Sequence, residues 1–257
     1  MKKILIILTI IAGAFGVKGA TLPEMADSAY NELAYSEALN LYVATLDSLG
    51  GSADLYYNLG NTYYRLQQPG KAILWYERAI KADPTHSDAR ANLEFVNTTI
   101  TDKPIDNRSL IKRKYDRLVD SANGDTWAWI AAAFFAFAVA GAVVYLISSD
   151  VTVRKVCFFG GLGALGLSIV ILVIAATGAS RASNHDYAIV ISPAANLSTS
   201  PRASSDASTQ AFLLHEGTKV QLVDSLIKGN APADCWYEVS IGGDARAWIN
   251  GEDIERI

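Results

Sequence analysis

The spacing of hydrophobic and polar positions changes several times along the chain. A continuous apolar run, Ile4 to Val17, comes directly after Met1-Lys2-Lys3. Between residues 53 and 86, apolar and small side chains recur every three or four positions, the period of packed helices. Charge then vanishes twice, from Thr126 to Ser149 and from Val156 to Ser180. Beyond these gaps the pattern breaks into short strand-like runs: Ala188–Ser192, Thr218–Asp224, Cys235–Ile241, Ala245–Ile249 and the terminal DIERI. Gly217, Gly229-Asn230, Gly242-Gly243 and Gly251 punctuate them, as hairpins require.

The uncharged gaps hold apolar cores of 21 residues each, Trp127–Ile147 and Val156–Ala176. At ~1.5 Å per residue, each helix would cross the ~30 Å of hydrocarbon in a bilayer. The N-terminal run is shorter, and with its basic start and the small residues Gly19 and Ala20 it has the layout of a secretory signal. A cleaved signal and an uncleaved anchor both remain open, and either one exports the segment after residue 20. Counting crossings puts residues 21–126 and 181–257 on the outer side. Ser148–Lys155 becomes an inner loop carrying Arg154 and Lys155, in keeping with the positive-inside tendency. Lys112, Arg113, Lys114 and Arg117 run against that tendency.

Composition agrees with a chain partly in lipid. Charged residues make up 19% and hydrophobic residues 51%, against about 25% charge in an ordinary soluble domain. With 22 Lys+Arg, 26 Asp+Glu and a formal charge of −4, nucleic acid is not expected as a partner. Two cysteines and three scattered histidines give no basis for a disulfide framework, a metal site or a cofactor.

The stretch ADLYYNLGNTYYRLQQPGKAILWYERAIKADPTH, Ala53 to His86, resembles the tetratricopeptide repeat. Tyr56, Leu59, Gly60, Tyr63, Ala72, Tyr76, Ala79 and Pro84 occupy its signature positions. Gly60 and Ala72 are small where two antiparallel helices touch, Pro69-Gly70 is expected to make the turn, and Asp83-Pro84 ends the second helix. Ala26, Ala38 and Tyr42 stand 34 positions before Gly60, Ala72 and Tyr76, so a degenerate copy precedes, with a helix expected over Glu32–Leu49. HSDARANLEFVNTTI supplies a capping helix, giving about two repeats stacked into a small groove. The linking stretch RSLIKRKYDRLVDSANGD allows two readings, a solvated connector or an amphipathic helix in the membrane interface.

The C-terminal segment resembles a bacterial SH3-like domain, through Leu214, Gly217 and Val220, then Trp236 and Val239, then Trp248-Ile249. Ala247 departs from the glycine usual before that tryptophan. The predicted architecture is a multidomain membrane protein with an all-α tetratricopeptide superhelix, two transmembrane helices and a small all-β SH3-like barrel. Its parts are a signal at 1–20, repeats at 21–100, an amphipathic connector at 101–126, spans at 127–147 and 156–176 around a loop at 148–155, and the barrel at 181–257. STSPRASSDAST, Ser198–Thr209, is expected to be a loop.

This order of parts resembles the Bacteroides aerotolerance protein E family (BatE). The resemblance implies a non-enzymatic inner-membrane scaffold of a stress-tolerance system, with both soluble domains periplasmic. It also implies partners with von Willebrand factor A domains and a MoxR-type ATPase. A second reading makes the protein a cell-wall sensor whose SH3-like domain binds peptidoglycan.

Little in the chain looks catalytic. His215-Glu216 lacks a nucleophile motif, Cys157 and Cys235 lie in a membrane helix and a strand, and the Gly160–Gly166 glycines read as helix packing at Gly160, Ala164 and Ser168. The candidate site is the groove face of the first helix of the complete repeat: Asp54, Tyr57, Asn58, Asn61, Tyr64 and Arg65, extended by Asn92 of the cap. These are either ordinary solvated positions or a surface on which asparagines hold a peptide main chain and tyrosines supply rigid contact area. Tyr57 stands where carboxylate-clamp repeats carry lysine, which argues against a C-terminal carboxylate ligand.

Overall fold

In the computed structural model, residues 20–103, 108–201, 210–227, 229, 231–241 and 245–257 are described. The expected signal segment and most of the expected 198–209 loop lie outside them. The chain divides into two units, at Gly50/Gly51.

In the first unit, helices α1 (Leu22–Asn31) and α2 (Tyr35–Leu49) form a hairpin. Thr21 N–H donates to Glu24 Oε2 at 2.8 Å and so caps α1. Ala26, Ala38 and Tyr42 are buried in the seam, as the repeat spacing predicts. Helix α2 starts at Tyr35 and not at the expected Glu32, because Leu33 adopts a left-handed φ of 64° and breaks the helix. Tyr42 Oη donates to Asp27 Oδ1 at 2.6 Å. Burial, then that carboxylate, push the phenol far above its ordinary pKa.

The second unit opens with α3 (Ala53–Arg65), α4 (Pro69–Ala82) and α5 (Ser87–Asn97). A Cβ on Gly60 would lie 2.6 Å from the Tyr76 ring, so only glycine lets α3 and α4 approach this closely. The turn is Leu66–Gln68, with Gln67 at φ 58°, and Pro69 instead opens α4. Proline belongs there, since a first-turn N–H has no helical partner to lose.

Helix α6 (Leu110–Val119) leads to two long apolar helices, α7 (Gly124–Ile147) and α8 (Val151–Ser183). Only 6% and 22% of their most apolar windows are buried, and both helices are long and apolar enough to cross a membrane. Asp150 Oδ1 accepts from Thr152 and Val153 N–H and starts α8 early, leaving Ser148–Asp150 as the link and placing Arg154 and Lys155 on the helix. The two helices touch where Gly141 faces Cys157 O and Gly161 faces Ala138 O, while Ser168 Oγ donates to Ala131 O at 2.9 Å. Ala164 is buried there as expected, but Gly160 faces open space. The contact runs through 157, 161, 164 and 168, a mixed three- and four-residue spacing that tracks a slightly crossed neighbour better than a strict four-residue ladder.

Among the described residues after α8 there are seven strands: β1 (Tyr187–Val190), β2 (Ala194–Ser198), β3 (Gln210–His215), β4 (Lys219–Ile227), β5 (Cys235–Ser240), β6 (Arg246–Asn250) and β7 (Ile254–Arg256). They pair antiparallel in the order β3-β2-β6-β5-β4-β1-β7, a curled half-barrel compatible with an SH3-like barrel. Strand β2 was not expected from its small and polar residues; it is held by pairing with β3 and, at Ser198, with β6. Ala247 lies within β6 opposite Val239, where no turn occurs, and is buried.

Candidate partner-binding face

One side of the repeat is occupied by the sheet. Strand β1 is buried on both faces because it serves two cores. Ala188 and Val190 point into the sheet's own interior, with Leu214, Val239 and Ile249. Ile189 points the other way, into the core of Ile73, Tyr76, Ala79 and Ile100. Gly217 completes the approach: its φ is +88°, its N–H donates to Val190 O at 2.8 Å, and a Cβ there would strike Ile73 and Ile100.

A polar ring surrounds this seam. Arg78 pairs with Glu255 at 2.9 Å and donates to Arg256 O; Lys219 pairs with Glu77 at 2.8 Å; Lys81 donates to Ile257 O. Burial, then neighbouring Arg78, lower the Lys81 pKa. His215-Glu216, the sequence's nearest approach to a catalytic pair, belongs to the same ring. Glu216 Oε2 accepts from Gly70 N–H at 3.3 Å, and His215 binds Asp102 through its main-chain N–H at 2.7 Å and its ring. Thr218 Oγ1 donates to the same carboxylate at 3.0 Å. Burial acts to raise the Asp102 pKa, but the His215 and Thr218 hydrogen bonds outweigh it and hold the carboxyl below its usual value.

The groove candidates lie on α3 and α5, away from these α4 contacts. Asn61 Oδ1 accepts from Tyr76 Oη at 2.7 Å and from Asn92 Nδ2 at 2.8 Å, and Asn92 Nδ2 also lies 3.5 Å from Tyr57 Oη. Tyr57 packs between the Tyr76 and His86 rings, with centroids 6.1 and 4.9 Å away. Tyr64 meets Phe95 edge-on at 5.9 Å. Asp54, largely exposed, lies 3.4 Å from His86 Nε2. Asn58 and Arg65 belong to the same helix, where the Asn58 carbonyl accepts from Thr62 Oγ1 at 2.7 Å.

The structure therefore unites Tyr57, Asn61 and Asn92 in one hydrogen-bonded cluster, with Tyr64 in a neighbouring aromatic pair. Sequence reasoning missed Phe95 and His86. Phe95 is 56% exposed, a large apolar side chain off the face that buries Ala89 and Val96, and that misplacement was the available signal. Asn61 proves to be partly structural: its bond with Tyr76 repeats, 34 residues on, the bond of Tyr42 with Asp27.

The larger of two prominent cavities among the described residues, about 1020 Å³, lies elsewhere, between α4, α6 and the adjoining end of α8. Arg181 and Lys219 in its wall are already paired with acids. Among the described residues no cluster of three or more His, Cys, Asp or Glu could hold a metal.

Residues 53–86 match the tetratricopeptide repeat family. No curated protein matches the chain. The repeat supports a role in protein–protein interaction, and modules of this kind are typically not catalytic.

Proposed function

We propose that this protein is a non-enzymatic membrane scaffold that holds an extended segment of a partner protein on the α3–α5 face of its repeat. The arrangement of Asn61 and Asn92 carries the proposal. Their mutual hydrogen bond, fixed by Tyr76, uses Asn61 Oδ1 and Asn92 Nδ2. The remaining amide atoms are an Asn61 donor and an Asn92 acceptor, the pair that a peptide main chain requires. Tyr57, Tyr64 and Phe95 flank them with half-exposed or exposed aromatic surface.

Helices α7 and α8 anchor the scaffold as a two-span hairpin. Arg181 near the end of α8 pairs with Asp116 and Asp120 before α7, which supports placing both soluble parts on one side of the bilayer. With the export-like N-terminus, that side is the periplasm. The resemblance to the Bacteroides aerotolerance E family makes membrane proteins with von Willebrand factor A domains, and a MoxR-type ATPase system, the partners to seek first.

The test is co-purification from detergent-solubilised membranes. Asn61→Ala is unsuitable because it also removes the bond that Asn61 accepts from the Tyr76 hydroxyl inside the repeat. Tyr64→Ala with Asn92→Ala spares that bond and is expected to abolish partner recovery, at roughly 1–3 kcal/mol per lost anchor. Full recovery by the folded double variant would move the site off this face.

A further inference from the structure

Helix α6 exposes both charge and apolar surface that its own packing does not use. Asp116 and Val119 are its buried positions, while Leu110, Ile111 and Leu118 are 69%, 82% and 45% exposed. At about 100° per residue, Ile111 and Leu118 lie side by side on the outer face. Lys114 and Leu110 come next around the helix, then Arg117 and Arg113. Lys112, Arg113, Lys114 and Arg117 are all exposed, and none forms an ion pair among the described residues. The helix's one acid, Asp116, is held by Arg108 and Arg181 and neutralises none of them.

The contacts of α6 fix its level along the apolar pair. Tyr115 Oη bonds Thr177 Oγ1 at 2.9 Å, just past the apolar core of α8. Trp127 Nε1–H donates to Val119 O at 3.1 Å, at the first residue of the α7 core. Trp129, 77% exposed, belongs to the same end. Tryptophans at that height mark the headgroup layer of a bilayer. Exposed apolar side chains beside unpaired cations at that level match an interfacial helix, whose apolar edge enters the acyl boundary while its cations meet phosphates.

We propose that α6 is a binding site for anionic phospholipid headgroups of the leaflet at this end of α7 and α8. The inference rests on the reading that those helices span a membrane. It also accounts for four cations on the side where the positive-inside tendency does not place them.

The test uses the full chain in nanodiscs of phosphatidylcholine with rising phosphatidylglycerol, counting retained lipids by native mass spectrometry. Wild type is expected to enrich phosphatidylglycerol on the order of tenfold or more, with enrichment falling as salt rises. Arg113→Gln with Lys114→Gln and Arg117→Gln should remove most of that enrichment while helical content and bilayer retention persist. Equal enrichment by wild type and variant overturns the site. Displacement of phosphatidylglycerol by millimolar inorganic phosphate would make it a general anion site, which also overturns the proposal. Release of wild type from vesicles by alkaline carbonate would instead overturn the membrane-spanning reading.

Discussion

Asp102 shows how much of this molecule depends on single contacts between distant segments. Its carboxylate accepts three hydrogen bonds from His215 and Thr218, joining the end of the repeat to the sheet. The folded pKa lies below the ordinary value near 4. A depressed carboxyl adds stability that is complete above its unfolded pKa and is lost as pH falls through the folded one. Asp102→Asn should therefore destabilise the protein at pH 7 by about 1–2 kcal/mol, a figure reduced for partial exposure. The penalty should hold to about pH 5 and shrink below pH 4. Thermal unfolding of wild type and variant in detergent across pH 3–7 measures it, and a constant offset would contradict this role. No pattern along the chain points to Asp102, because its partners stand 113 and 116 residues away. Gly217 was legible as a motif glycine, but not as the point where the sheet meets Ile73. Asn61 and Tyr76 were each legible as groove and seam positions; their bond was not, since it depends on the relative phase of two helices.

Among the elements, the repeat helices could be read in advance because their packing is local. Gly60 and Tyr76 must meet whenever this pattern folds. The apolar helix pair was legible in extent but not in face. A four-residue ladder of small residues predicts contact at Gly160, whereas the structure brings Gly161 against Ala138. Gly161→Leu should thus lower the stability of the helix pair in detergent by about 1–3 kcal/mol through overpacking against backbone, read from its unfolding midpoint. Gly160→Leu should leave it unchanged, and the reverse ranking would show that the other face is buried. Strand β2 escaped because AANLS carries little intrinsic strand preference, and its conformation comes from its neighbours. Strand β1 was read correctly as a strand, but its sequence does not disclose that its second face enters another core.

For the second unit as a whole, repeat, apolar helix pair and sheet are joined through α4, α6 and β1. The sheet covers α4, whereas Tyr57, Asn61, Tyr64 and Asn92 lie on α3 and α5 in positions its contacts do not use, the face we propose for a partner. Composition and motif order made the parts visible, and the tetratricopeptide match bears directly on one of them. The sequence could not show which side of the repeat is already occupied, because that is a property of docking between distant segments. The central claim is that the partner sits on the α3–α5 face. The most direct measurement places a photo-crosslinking amino acid at Tyr64 or at Phe212, an exposed aromatic of β3, in native membranes. The account predicts protein adducts from position 64 that weaken with Asn92→Ala, and none from position 212. Adducts from 212 with position 64 silent would contradict it.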